Sequence, residues 1–492
     1  LPMLFNSLTF VVFYVAVFAL YWMVRARAPQ NVLLLAASWI FYGAWSWKFL
    51  LLLLASTLLD YVAGLLIAGA KNPRRKRLVL IISVTANLLF LATFKYFGFF
   101  VTEFAELLER LGLNANLPVL EIVLPVGISF YTFQTIGYVI DVYRGKVPAA
   151  RSLLDYALYV AFFPQLVAGP IERAGHLIPQ FQKPRVWSTP AFESGLQLAV
   201  WGLFKKVAIA DNLAPYVDAV YANPAQFSGT TLATATVFFA FQIYCDFSGY
   251  TDTARGVARM LGFDLMRNFN FPYISKTPVE FWQRWHISLS RWFQDYLYYP
   301  LAMRYMRRGG YFRKYKAHII SMALIGLWHG ANWTFLVFGL YWGVVIAMYL
   351  VILDRTAGAP RAGPVDRLAA VVPRARDLAA IALMFTLVCI GWVLFRAESI
   401  GDAWYVLTHA FSFSGASGVI GAEVVDVPIL WALIAGLCLA EWIYRHFDRI
   451  RPRLESGQLP AIAGRYALIA AILVSVGASQ LGEPRPFIYF QF

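Results

Sequence analysis

Two histidines stand where an imidazole could do acid–base chemistry. His329 lies in LIGLWHGANW, inside a stretch from Ala317 to Leu353 that contains no Asp, Glu, Lys or Arg. A neutral imidazole near pH 7 can take the proton from a hydroxyl as that oxygen attacks a carbonyl, which is worth about 10²- to 10⁴-fold in rate. An ionisable side chain within an apolar run is costly, so His329 is expected to face a cavity rather than lipid. The competing account is a neutral, hydrogen-bonded core histidine. Asn332, or a backbone N–H freed where Gly326 and Gly330 interrupt the run, is the expected donor to a developing oxyanion. Trp328 is expected to line the same space.

The second histidine, His286, falls in TPVEFWQRWHISLSRWFQDYLYYP. Thr277 and Glu280 form a capping box around Pro278, and Pro300 is expected to stop the helix they start. Phe281, Trp282, Trp285, Leu289, Trp292, Phe293 and Tyr296 recur at helical spacing, while Gln283, His286, Ser290 and Gln294 fall on another face. Such a helix either anchors at a membrane interface or presents His286, Gln283 and Ser290 to a site. In FQIYCDFSGYTDTARGVARMLG, Asp246 accompanies Gln242, Ser248 and Asp252 at the end of an apolar run, where capping and packing compete with a place in the site. His176, His318, His409 and His446 sit in loops or at span edges. Walker, dinucleotide, HExxH and GxSxG patterns are absent from the sequence. Cys245, Cys389 and Cys438 are isolated, lack metal-ligand spacing and are expected in the core. No metal site is expected.

The elements that must position these residues are membrane helices. The 492 residues are 60% hydrophobic and only 14% charged, which a soluble domain of this size would not show. Apolar runs fall near 8–24, 31–47, 49–69, 78–97, 121–143, 153–169, 194–213, 230–247, 317–353, 378–396, 427–445 and 463–480. At about 20 residues per crossing they predict an all-α, polytopic protein of roughly 11 to 13 transmembrane or re-entrant helices. A straight helix over 317–353 would be about 55 Å long against a hydrocarbon core of about 30 Å, so it must break near Gly330. Prolines and glycines between Pro164 and Thr230 predict further broken segments, tolerated only where protein or a water-filled cavity surrounds them. One membrane domain over 1–492 is expected, with N-terminal helices over 1–150, a catalytic core over about 151–353 and C-terminal helices over 378–492.

The formal charge of +15 resides largely in short loops, as membrane orientation requires, and no nucleic-acid binding is expected. Arg25 and Arg27, Lys71 to Arg77, and Arg144 to Arg151 place those loops in the cytoplasm and the N-terminus outside. The basic stretch of Arg304, Arg307, Arg308, Arg313, Lys314 and Lys316 is a topology signal or an attractor of phosphates or anionic lipid. The run from Leu8 lacks a basic segment before it and a cleavage site after it, so it is expected to be a retained helix, with Met3 as the natural start.

WQRWHISLSRWF together with LWHGANWTFLVFGLYWG resembles the membrane-bound O-acyltransferase (MBOAT) family. The resemblance runs along nearly the whole chain through LFNSLTFVVF, ISFYTFQTIGYVIDVYRG, FFPQLVAGPIER, YCDFSGYTDTARGVARMLGF, NFNFPY, GWVLFRAES and FIYFQF. These strings look like the bacterial branch that O-acetylates alginate, peptidoglycan and other exported polysaccharides. The resemblance implies an MBOAT-like fold with a central tunnel in the cytoplasmic (inner) membrane of a bacterium. It also implies acetyl-CoA as a cytoplasmic donor substrate with no tightly bound cofactor, and an SGNH-type extracytoplasmic partner completing transfer to a polysaccharide. Carried over by motif, His329 matches the catalytic histidine and His286 the second family histidine.

Three other functions compete. D-alanyl transfer toward teichoic acid uses a carrier protein as donor in similar bacterial proteins. A transporter also builds sites from broken helices, but the chain has no internal repeat. A non-catalytic platform for polysaccharide export is the third.

Overall fold

The computed structural model of the protein describes residues 3–113, 124–307, 313–356, 374–412, 427–454 and 485–488, and every regular element among them is helical. Among the described residues, five helices are long and apolar enough to cross a membrane: Trp47–Gly69, Pro73–Lys95, Trp333–Asp354, Ala375–Arg396 and Val427–Arg445. Leu8–Met23 is a shorter apolar helix. The expected run at 463–480 lies outside the described residues.

Two compact units are present. The first comprises residues within Leu1–Ala199 together with Tyr250–Met266, and the second comprises Val200–Gly249 together with Arg267–Ile488. The 32-residue helix Gly229–Met260 contributes to both.

In the first unit a buried polar tie joins two of the helices. Asp60, fully buried, accepts hydrogen bonds from Ser83 Oγ at 2.5 Å and Asn87 Nδ2 at 2.8 Å, joining the Trp47–Gly69 and Pro73–Lys95 helices. This is the interhelical pairing an intramembrane carboxylate requires. Gly127 begins the Ile128–Tyr143 helix at φ 76°, and a Cβ there would lie 2.6 Å from the Leu166 carbonyl oxygen, so only glycine fits. The expected breakage after Pro164 is present. Leu153–Ala161 gives way to the four-residue helix Phe163–Leu166, and Thr189–Phe204 passes through a π-helical stretch, Lys205–Ala210, before Asp211–Ala222.

Three expectations fail. The segment around His286 is not one helix: it runs as Pro278–Arg284, Ile287–Phe293, a π-turn over Gln294–Tyr298 and then Tyr299–Arg307. Pro300 stops nothing: it directly follows the π-turn and Tyr299, and the helical run continues to Arg307. Of the cysteines only Cys245 is buried. Cys389 is half-buried and Cys438 exposed, on helices whose outward faces are themselves apolar.

Candidate functional site

His329 is placed by a helical hairpin in the second unit. The Arg313–His329 helix ends at the histidine itself, and Trp333–Thr356 returns after three residues, which is where the sequence required a break. Glycines set how closely the two helices approach. A Cβ on Gly326 would sit 2.9 Å from Gly339 Cα, one on Gly339 2.8 Å from Ala323 Cα, and one on Gly343 2.7 Å from Ile319 Cα. Any side chain at these positions forces the helices apart, as in other close-packed membrane helix pairs. Asn332 closes the connection: its Oδ1 accepts from the Thr334 N–H at 3.0 Å and its Nδ2 donates to the Glu398 carbonyl at 3.1 Å. The amide expected to serve an oxyanion thus spends its oxygen and one of its two N–H groups on capping a helix and bracing a loop. His329 is 5% exposed, with the rings of Trp328 at 4.8 Å, Phe395 at 5.1 Å and Phe338 at 6.0 Å.

His286 is placed by a backbone irregularity. Its φ of 42° and ψ of 56° put it in the left-handed region, which non-glycine residues seldom occupy and which often marks a functional position. Half of the capping box forms: Thr277 Oγ1 accepts from the Glu280 N–H at 3.1 Å, while Glu280 Oε2 accepts from the N–H of Lys276, the residue before the cap, at 2.8 Å. The helix it starts nevertheless ends at Arg284, because residues 268–270 take over the hydrogen bonds of the junction. The Ile287 N–H donates to Asn268 O at 2.9 Å, Ser288 Oγ donates to Asn268 Oδ1 at 2.6 Å, and the Asn270 N–H donates to Arg284 O at 2.9 Å. This kink is why periodicity misjudged the segment. It turns His286 inward with Trp285 and Trp282, all three buried, whereas Gln283 remains exposed. Ser290 Oγ is held by the Trp285 carbonyl at 3.3 Å. Gln283 and Ser290 thus do not accompany His286 into the interior.

Trp328 joins the two histidines. Its ring centroid lies 5.9 Å from that of His286 and 4.8 Å from that of His329, so the two imidazoles are no farther apart than those distances laid end to end. Phe247 meets the other side of His286 edge-on at 4.6 Å. Burial pushes the His286 imidazole from 6.5 down to about 3, which leaves it neutral throughout the physiological range. Asp246, singled out by its place in the sequence, is also buried, and its carboxylate is bound by Lys206 Nζ at 2.5 Å and the Ile488 N–H at 2.6 Å.

Sequence reasoning overlooked several charged groups. Lys205 and Lys206, both buried, interrupt the apolar LAVWGLFKKVAIA; Lys205 Nζ donates to Ser248 Oγ at 2.9 Å. Glu441, in the apolar LCLAEWIY, accepts from Tyr244 OH at 2.5 Å. Their signal was available, since an ionisable residue within a membrane run is itself a reason to look. In the first unit, His176 Nδ1 lies 2.8 Å from Glu172 Oε2, an i,i+4 pair that loop placement had concealed.

Residues 148–392, which include both histidines, match the family model of the membrane-bound O-acyltransferase family, MBOAT. A probable alginate O-acetylase, AlgI, of Azotobacter vinelandii is 37% identical with both chains covered in full. This chain belongs to the membrane-bound O-acyltransferase family. The AlgI of Pseudomonas aeruginosa, also named a probable alginate O-acetylase, is 36% identical with full coverage of both chains. A peptidoglycan O-acetyltransferase of Helicobacter pylori is 32% identical over 84% of this chain and 81% of its own. The protein is an O-acyltransferase and a multi-pass membrane protein. Its all-helical architecture agrees with the fold class read from the sequence.

Proposed function

We propose that this acyltransferase moves an acetyl group from cytoplasmic acetyl-CoA toward an exported polysaccharide such as alginate or peptidoglycan. In this reading it works in the inner membrane of a bacterium, with an SGNH-type extracytoplasmic partner completing the transfer through a central tunnel. Full-length similarity to probable alginate O-acetylases supports the acetyl group and the polymer class. The observation that carries the chemistry is the pairing of two buried histidines across Trp328.

In the proposed step the acceptor hydroxyl oxygen bonds to the thioester carbonyl carbon as the carbon–sulfur bond breaks. His329 takes the hydroxyl proton and returns it to the departing CoA thiolate, so protons and charge balance. Burial makes His286 a poor base near neutral pH, and the role of base is given to His329 on its match to the family's catalytic histidine. Neutral His286 instead offers a hydrogen bond to the reacting carbonyl or hydroxyl. The aromatic rings around both histidines exclude water that would hydrolyse the thioester.

Labelled acetyl-CoA supplied to proteoliposomes containing the protein, the SGNH-type partner and a glycan tests this reading. Label should reach partner or glycan with the unaltered chain and be lost with His329→Ala. Normal transfer by His329→Ala would remove the assigned base. Label moving only from a D-alanyl carrier protein would replace the donor.

A further inference from the structure

We propose that the buried cluster of Lys206, Asp211 and Asp246 is a clasp that holds the C-terminal segment 485–488 against the walls of both histidines, making these three charged groups positioning residues for acyl transfer. The inference rests on the functional reading of His286 and His329 given above.

The clasp grips backbone as well as charge. Lys206 Nζ binds Asp246 Oδ1 at 2.5 Å and Asp211 Oδ1 at 2.7 Å, and also donates to the Pro486 carbonyl at 3.3 Å. Asp246 Oδ2 accepts the Ile488 N–H at 2.6 Å. Between these two grips lies Phe487, 3% exposed, its ring 5.5 Å from Phe247, which in turn meets His286 at 4.6 Å. A second tie runs to the other histidine. Arg485 Nη1 lies 3.6 Å from Asp218 Oδ2, and Asp218 Oδ1 accepts from Arg396 Nη2 at 3.0 Å. Arg396 directly follows Phe395, whose ring is 5.1 Å from His329.

Stability alone does not explain such a cluster. Buried ion pairs are commonly matched or bettered by apolar side chains of similar volume. An apolar pair cannot, however, accept the Ile488 N–H or donate to the Pro486 carbonyl. The ionic groups are therefore kept for the geometry of the segment they grip. Gly249 shows how closely the parts fit, since a Cβ there would lie 2.6 Å from Gly202 O and 3.0 Å from Lys206 N.

The test compares the unaltered chain with a triple variant, Lys206→Met, Asp211→Asn and Asp246→Leu, which removes the clasp without stranding a buried charge. Three quantities are read: thermal unfolding in detergent, chymotryptic cleavage after Phe487 by intact mass, and steady-state acetyl transfer. The triple variant should unfold cooperatively, become cleavable at Phe487 and lose about 10- to 100-fold in kcat, with KM for the acyl donor unchanged within about threefold, as a displaced active-site wall requires. Unchanged kcat, or protection of Phe487 equal to that of the unaltered chain, overturns the clasp. If the triple variant does not fold, Asp246→Leu alone carries the same test, because it removes the acceptor for the Ile488 N–H while Lys206 keeps Asp211 as its partner. A His329→Ala control separates the two ideas. Normal transfer by that control would remove the functional reading itself, whereas an inert control beside a fully active triple variant would remove only the clasp.

Discussion

Replacing His286 by glycine and by alanine should separate the cost of its backbone from the value of its ring. Both changes delete the imidazole and leave the same void between Phe247 and Trp328. They differ only in a Cβ at φ 42° and ψ 56°. A Cβ in the left-handed region costs about 1–2 kcal/mol. Glycine gives back about 0.4–1 kcal/mol through the greater freedom of its unfolded chain. The net expectation is that His286→Gly is more stable than His286→Ala by about 1 kcal/mol, roughly fivefold in the unfolding equilibrium. Denaturant titration in mixed micelles reads this difference, and labelled-acetyl transfer reads turnover in the same preparations. Both variants should be equally inactive, since glycine restores backbone comfort and not the ring. Equal stability of the two would mean that the kink at residues 284–287 relaxes once the imidazole is gone. Activity in the glycine variant alone would mean that His286 matters for its conformation rather than its imidazole.

Two further outcomes follow from the same geometry. His286 titrates at about 3 in the folded protein against 6.5 unperturbed, so above about pH 6.5 both states are neutral and its contribution to stability is complete; as pH falls toward 3 the unfolded chain gains a proton that the folded chain refuses. At pH 5 the unaltered protein should therefore have lost about 2 kcal/mol relative to pH 8 that His286→Ala does not lose, read by denaturant titration at the two pH values. Parallel losses in the two proteins would show that another group governs the acid limb. Asn332→Asp keeps an acceptor for the Thr334 N–H while removing the donor to Glu398. Turnover in the acetyl-transfer assay should stay within about threefold, whereas a fall of about 10²- to 10³-fold, the usual cost of losing an oxyanion donor, would reinstate Asn332 in the chemistry.

The sequence alone determined the solvent and named the residues on which the proposed chemistry rests. Apolar runs at membrane length, a forced break in the run from Ala317 to Leu353, and a histidine at that break follow from hydropathy and rise per residue, and the Arg313–His329 helix ends accordingly. Motif resemblance added the family and the roles expected of the two histidines. What the tertiary structure decided is where hydrogen bonds leave the chain's own periodicity. The kink at His286 depends on Asn268 and Asn270, distant enough along the chain that no helical pattern records them. Asn332 looked available because its sequence neighbours are apolar, yet its partner Glu398 comes from another helix end. Lys206 and Asp246 meet the segment 485–488 only after folding, and a charge in an apolar run announces that it has a partner without naming it. Local propensity and hydropathy are properties of neighbouring residues, whereas these contacts join residues far apart in sequence, and only the folded chain supplies them.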